Sequence, residues 1–206
     1  WEEIDEEAKR VLRLQLGGRK LVDFDGPHGW RLASVNLGRL DLLDDPLGGG
    51  VQAGLRQVQP LAELRIPIEL NQQDLDDVAR GAADPELEPV VEAAERIAQV
   101  EDRAIFLGCE ELGIEGILPT SPHDALTLPD DPGKMPHAVV RASEVLRKAG
   151  IDGPYGIALG SEAYNSLAES AEDGYPIRKR VTSVIDGPVV WAPALEGAVV
   201  LRLAQP

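Results

Sequence analysis

The chain has few of the residues on which catalytic and cofactor sites depend. Its 206 residues include one cysteine, three histidines and 4% aromatic residues. A single cysteine excludes an internal disulfide framework, and so few aromatic side chains leave little surface on which bases or sugars could stack. No apolar run approaches the roughly 20 residues that span a bilayer. These shortages argue against a disulfide-stabilised secreted domain, a membrane protein and a nucleic-acid stacking platform.

Positive charge is also scarce. The chain carries 36 Asp and Glu residues against 20 Lys and Arg, a formal net charge of -16. Such a chain repels nucleic-acid phosphate, so we expect no nucleic-acid partner. The basic cluster Arg178, Lys179 and Arg180 interrupts this pattern, and we interpret it as a subunit contact or a helix surface. We expect a cytoplasmic protein with no membrane partner.

The few residues that could carry chemistry stand in unfavourable settings. His28, His123 and His137 each lie beside Pro or Gly in a turn, a loop or a helix start, without the spacing of a zinc site. Asp124 follows His123, but neighbours in sequence rarely orient as a base and its partner. Cys109 is predicted to lie inside a helix, where the two glutamates after it oppose formation of a thiolate. We therefore expect no catalytic residue, no metal and no cofactor, and a protein that is not an enzyme.

Hydrophobic periodicity predicts a helix, a glycine stop and then a long β region. Residues 2–16 carry an apolar stripe at helical spacing that ends at Gly17 and Gly18. Strand-like runs at 21–24 and 30–33 flank a turn at 26–29. Further β runs are predicted at 30–35, 39–43, 51–58 and 61–70, the last as an edge or bulged strand because it contains Pro67. We predict that the intervening turn is the tip of a projecting hairpin that serves another subunit; it contains Asp44, Asp45, Gly48, Gly49 and Gly50.

The remaining chain reads as helices followed by a compact α/β lobe. We predict a helix at 71–80. A long helix follows it, with Asp84 as its cap and Pro85 at its first position, and runs to about Leu112. The loop at 119–133 marks a boundary. Beyond it we predict a helix at 135–149, a strand at 155–160, a helix at 161–172 capped by Ser161, a short helix at 176–183 and strands at 188–192 and 198–203.

Several motifs give the chain a resemblance to a known family. They are WEEID at 1–5, GRKLVD at 18–23, GPHGW at 26–30, LR at 55–56, PLAELR at 60–65, EDRAIFLGC at 101–109, GIEGIL at 113–118, GIDGPY at 150–155 and YPIRKRV at 175–181. In this order they resemble the encapsulins, the shell proteins of bacterial and archaeal nanocompartments, once described as linocin-type bacteriocins.

The resemblance implies an α+β Hong-Kong-97-type phage capsid fold. Residues 1–21 would then form an N-terminal helix lining the shell interior, 22–70 the extended loop, 71–133 the peripheral domain and 134–206 the axial domain. Family members assemble into icosahedral homo-oligomers that enclose a cargo enzyme, such as a ferritin-like protein or a dye-decolorizing peroxidase, which carries a targeting peptide. The family's C-terminal strands are missing after Pro206, so we expect unpaired sheet edges here.

The resemblance also implies two sites. The cargo-peptide groove would contain Val11, Leu12, Arg19, Asp23 and Phe24. The pore loop would contain Glu172, Asp173, Gly174 and Tyr175, within an acidic turn between two helices that could concentrate cations at a symmetry axis. Two other functions stay open: a major capsid protein of a tailed phage or prophage, and, with less support from the residues, a bacteriocin or hydrolase.

Overall fold

The computed structural model describes residues 1–82, 86–172 and 174–203, which form a mixed α and β fold. The helices are α1 (Glu2–Gln15), α2 (Gln72–Ala79), α3 (Glu88–Leu107), α4 (Ile117–Thr120), α5 (Met135–Lys148), α6 (Ser161–Glu169) and α7 (Ile177–Ile185). The strands are β1 (Ser34–Leu43), β2 (Ala53–Pro60), β3 (Tyr155–Leu159), β4 (Ala171–Glu172), β5 (Tyr175–Pro176), β6 (Val189–Trp191) and β7 (Ala198–Arg202). Short 3-10 turns lie at Gly18–Lys20, Glu110–Leu112 and Pro132–Lys134.

The predicted hairpin is confirmed as an isolated antiparallel pair of strands. β1 pairs with β2 from Ser34 opposite Pro60 to Leu43 opposite Ala53, with a change of register between Asn36 and Leu40. Gly38, inside that irregular stretch, has a φ of 69°, a conformation that favours glycine. Nine of the ten residues of β1 and five of the eight residues of β2 are exposed, and none of the others is fully buried. Ten residues of β1 extend about 33 Å, so the hairpin is a long arm that stands clear of the chain's own core.

Other β predictions in this region are wrong. Residues 21–24 and 30–33 form turns and irregular chain. In the first segment the amides of Leu21 and Val22 bond back to the Gly18 carbonyl, and in the second the amide of Leu32 bonds back to the Gly29 carbonyl. Residues 61–70 have no regular secondary structure and belong to no sheet among the described residues. At the start of this segment, the Leu61 amide donates to the Ala33 carbonyl oxygen. Further along, Pro67 has no backbone N–H to donate to a neighbouring strand.

The long helix α3 ends earlier than the periodicity predicts. It stops at Leu107 because Gly108 adopts a φ of 81°, and a side chain there would lie 2.7 Å from the Gly116 amide nitrogen. The chain then folds back, and Cys109 pairs with Ile114 through two backbone hydrogen bonds. Cys109 therefore lies outside the helix, contrary to the prediction. The predicted cap at Asp84 and Pro85 lies outside the described residues.

The C-terminal lobe is a three-stranded sheet between two buried clusters. The strand order is β6-β3-β7, with β3 parallel to β6 and antiparallel to β7. Alternate residues of β3 point to opposite faces. Ile157 and Leu159 join the cluster formed with α5, α6 and α7, whereas Ala158 joins Phe106 of α3 on the other face. The sheet thus fixes the end of α3 against the lobe.

Helix α6 begins at Ser161 as predicted, but its cap residue and its end differ from the prediction. Gly160, not Ser161, is the cap residue, because a side chain at position 160 would lie 2.2 Å from the Leu195 carbonyl oxygen. The hydroxyl of Ser161 instead accepts a hydrogen bond from the Trp191 indole at 3.0 Å. The helix ends at Glu169 rather than at 172, since the next residues form the β4–β5 hairpin.

Candidate functional site

The N-terminal helix is joined to α3 through one buried carboxylate. Asp102 has no exposed surface, and its two oxygens accept hydrogen bonds from the amides of Gly17 and Gly18, each at 2.9 Å. Burial raises the pKa of Asp102, and the two amides offset part of that effect. Gln15, also buried, donates to Glu95 of α3 at 2.9 Å. These bonds fix the direction in which the chain leaves α1.

Close contacts disfavour a side chain at either glycine of this junction, most strongly at Gly17, where the neighbouring atom belongs to the backbone. A side chain at Gly17 would lie 2.7 Å from the Trp191 carbonyl oxygen, and one at Gly18 would lie 2.8 Å from a methyl carbon of Ile105. The sequence analysis predicted the glycines as a helix stop. Their second role, allowing the chain to approach α3 and β6, depends on the tertiary structure.

The residues of the expected cargo-peptide groove divide into a buried and an exposed group. Val11 is only 3% exposed, so its side chain belongs to the core rather than to a free surface. Leu12 is half-buried, and Asp23 is exposed. Phe24 is 54% exposed, and the Arg19 guanidinium carbon lies 4.6 Å from the centre of its ring.

Arg19 connects this surface to α3. Its Nε and Nη2 donate to the two carboxylate oxygens of Glu101 at 2.5 and 2.7 Å, and this pairing raises the pKa of the guanidinium. A two-point pair restricts a guanidinium more than a single contact does. Arg19 therefore places a positive charge over the exposed Phe24 ring beside α3. Glu101 is not among the residues predicted for this site, because its pairing with Arg19 depends on the tertiary structure.

The expected pore loop is the tip of the β4–β5 hairpin. Glu172 pairs with Tyr175, and Gly174 has a φ of 77°. Asp173 lies outside the described residues. The Lys179 ammonium is 6.0 Å from the centre of the Tyr175 ring, which links the hairpin to α7. The neighbouring Arg178 lies over Tyr164 at 5.3 Å, so two members of the basic cluster contact aromatic rings of their own chain.

The arm formed by β1 and β2 exposes apolar side chains on both of its faces. Leu40 and Leu42 lie on one face and Leu43 and Leu55 on the other, and Leu42 is 79% exposed. At the tip, the Asp45 carboxylate accepts a hydrogen bond from the Gly50 amide at 3.2 Å. The glycines 48, 49 and 50 all have positive φ values, of 74°, 80° and 75°. A hairpin with two apolar faces and no core of its own is suited to burial between other molecules.

No metal-binding arrangement occurs in the part of the chain that the structure describes, where no group of three or more His, Cys, Asp or Glu side chains is placed to hold an ion. The Nε2 atom of the exposed His28 lies 3.1 Å from a carboxylate oxygen of Asp25. The thiol of Cys109 donates to Glu111 at 3.4 Å. Across the described ranges no helix is both long and apolar enough to cross a membrane.

This architecture is that of a capsid-type subunit. The crystal structure of a virus-like particle from Pyrococcus furiosus superposes with a TM-score of 0.63 and 14% sequence identity, covering 99% of this chain and 79% of that one. The chain has the α+β Hong-Kong-97-type fold.

The sequence comparison defines the family. A family described as "Encapsulating protein for peroxidase" matches residues 1–205. The type 1 encapsulin shell protein of Mycobacterium tuberculosis is 44% identical over 201 residues, which are 98% of this chain and 76% of that protein. The type 1 encapsulin shell protein of Rhodospirillum rubrum is 44% identical over 207 residues, 98% of this chain and 74% of that protein. The chain belongs to the encapsulin shell-protein family.

Proposed function

We propose that this protein is a non-enzymatic shell subunit, many copies of which close into an icosahedral compartment in the cytoplasm. The observation that carries the proposal is the arm formed by β1 and β2, with exposed leucines on both faces. A monomer that kept such a surface in water would expose a large contiguous apolar area. Burying the arm against neighbouring subunits removes that exposure and joins the subunits into a closed assembly.

We further propose that the shell encloses an enzyme carrying a short targeting peptide. The peptide would contact the exposed Phe24 ring, with Arg19 as the positioning residue and Leu12 and Asp23 at the sides. The pairing of Arg19 with Glu101 and its contact with the Phe24 ring support this assignment, because they place a paired cation beside an exposed aromatic group. Val11 would support the surface from beneath rather than contact the peptide.

The β4–β5 hairpin would line an opening at a symmetry axis, with Glu172, Asp173, Gly174 and Tyr175 at its edge. Support comes from the tight turn at Gly174 and from the contact of Lys179 with the Tyr175 ring, which restrains the hairpin. In a ring of copies, acidic groups at this turn would favour the passage of cations over anions.

Removal of the arm tests the shell proposal. In one variant a two-residue Asn-Gly turn replaces residues 37–57, which removes the exposed leucines and joins the paired residues Asn36 and Val58. In a matched control, glycine and serine of equal length replace residues 44–50. We expect the first variant to give dissociated subunits by light scattering and electron microscopy, with helical circular dichroism retained. Closed particles from the shortened variant would show that the arm is not needed for assembly and would contradict the proposal.

A further inference from the structure

The tripeptide Asp-Gly-Pro occurs three times in the chain, beginning at Asp25, Asp152 and Asp186. At an aspartate followed by glycine, the side-chain carboxyl can react with the next backbone amide, because glycine has no Cβ to hinder the approach. The three sites share the same tripeptide. A difference in reactivity between them must therefore come from what surrounds each one.

The first of the three sites is open to this reaction. The Asp25 side chain is 94% exposed and lies in a stretch without helix or strand. Among the described residues nothing accepts a hydrogen bond from the Gly26 amide, so its nitrogen is not held away from the Asp25 carboxyl. A Cβ added at Gly26 would have no neighbouring atom closer than 3.7 Å, so the packing leaves the backbone room to move.

The other two sites are closely packed. At Gly187 an added Cβ would lie 2.2 Å from the carbonyl oxygen of Tyr155, and at Gly153 it would lie 3.2 Å from carbons of the Tyr155 ring. Dense packing resists both the backbone movement that ring closure requires and the longer backbone of the product. The structure therefore favours reaction at Asp25 over the two other sites.

A proton donor also lies beside the first site. The Nε2 atom of His28 is 3.1 Å from a carboxylate oxygen of Asp25. The same ring borders Gly26, where an added Cβ would lie 3.8 Å from the Cδ2 atom of His28. The residues that follow the other two tripeptides are Val189, which has no proton to donate, and Tyr155, whose hydroxyl already donates to a backbone carbonyl at 2.7 Å.

We propose that Asp25 converts spontaneously to isoaspartate through a cyclic succinimide, with His28 as the proton donor. In its protonated form, His28 transfers a proton from Nε2 to the Asp25 carboxylate. The Gly26 amide nitrogen then bonds to Cγ of Asp25, and the amide proton leaves with the displaced hydroxyl as water.

Water opens the ring in either of two ways. Cleavage of the bond between the Gly26 nitrogen and the backbone carbonyl carbon of residue 25 gives isoaspartate, and cleavage of the bond to Cγ restores aspartate. Either opening releases the proton that was taken up in the first step. Isoaspartate has the same mass as aspartate but one more carbon in the backbone. This inference does not depend on the proposed shell or cargo, because all the reacting groups lie in one short segment.

Incubation of the purified, unaltered protein in heavy-oxygen water tests the proposal, because each ring opening adds one heavy oxygen atom. Trypsin separates the three tripeptides into peptides 21–31, 149–178 and 181–202. Electron-transfer fragmentation then assigns the label to a residue and distinguishes isoaspartate from aspartate. We expect label and isoaspartate to accumulate at Asp25 at least about tenfold faster than at Asp152 or Asp186. Equal rates at the three sites, or no label at Asp25, would overturn the proposal.

Substitution tests the role of His28. His28→Gln keeps a polar side chain but removes the imidazolium proton donor, so we expect labelling at Asp25 to slow by at least about threefold. The matched control is His137→Gln, a change at an exposed histidine of α5, which should leave the rate unchanged. Labelling at Asp152 and Asp186 in the same samples reports whether the packed sites remain folded. An unchanged rate at Asp25 in His28→Gln would refute proton donation by His28.

Discussion

Removing the Asp102 carboxylate should loosen the N-terminal helix more than any other single change at that junction. In Asp102→Ala the amides of Gly17 and Gly18 lose both acceptors while remaining buried. Each buried donor without a partner costs about 1–3 kcal/mol, so the free energy of opening at this junction should fall by about 2–6 kcal/mol. Because about 1.4 kcal/mol corresponds to a factor of ten, exchange of these two amides should accelerate by at least about 30-fold.

Hydrogen exchange followed by mass spectrometry of peptides covering residues 11–21 measures this effect in the assembled protein. The matched control is Glu101→Ala, which removes the adjacent carboxylate and its pair with Arg19 but leaves both glycine amides bonded to Asp102. A surface pair of this kind contributes at most about 1 kcal/mol. Equal protection of Gly17 and Gly18 in the Asp102→Ala variant and the unaltered protein would refute the anchoring argument.

The same carboxylate should give the junction a pH dependence of defined sign. Burial raises the pKa of Asp102 in the folded state, so the folded chain binds this proton more tightly than the unfolded chain does. The stability advantage of Asp102 over the Asp102→Asn variant should therefore decrease as the pH rises from about 4 through the raised pKa, and be constant above it. The test is to measure the free energy of local opening of both proteins at several pH values, after the exchange rates are corrected for the intrinsic rate at each pH. An advantage that grows with pH would show that the amide hydrogen bonds outweigh burial.

Two further substitutions test the packing and the proposed groove. Gly17→Ala would place a methyl carbon 2.7 Å from the Trp191 carbonyl oxygen, so we expect the free energy of unfolding to fall by about 1–3 kcal/mol and the melting temperature to decrease. Gly197→Ala, where nothing lies within 4 Å, should change either quantity little. Arg19→Gln removes the pair with Glu101 and the contact with Phe24, so purified shells should retain less co-purifying cargo, measured by mass spectrometry. Arg13→Gln, a change at an exposed position of α1, is its control, and unchanged cargo in Arg19→Gln would argue against the positioning role.

The features that sequence reasoning predicted are those decided locally. The arm follows from a glycine-rich turn between two β runs, and the helix stop follows from paired glycines. The run at 61–70 was predicted as a strand on the same grounds, but a strand also needs a neighbour in the right register, which the described residues do not provide. Likewise Gly108 and Gly113 look alike in sequence, and only the fold-back of Cys109 onto Ile114 shows why the first of them ends α3.

The anchoring of α1 was missed although the sequence contains a signal for it. Ala94, Ala98, Asp102 and Phe106 are spaced four residues apart and are all buried. An acidic residue within an apolar stripe is costly unless it has partners, so Asp102 indicates a buried hydrogen-bonding site. The partners themselves, two backbone amides more than eighty residues away, could not be read from the sequence because they depend on how α1 approaches α3.

The central claim is that this chain functions as one copy among many, joined through the arm that β1 and β2 form. Electron microscopy of the natural full-length protein, together with mass determination by light scattering, tests it most directly. We predict closed particles of uniform diameter, with subunits found free only after denaturation. A stable, monodisperse monomer with no particles across the concentrations tested would contradict the account.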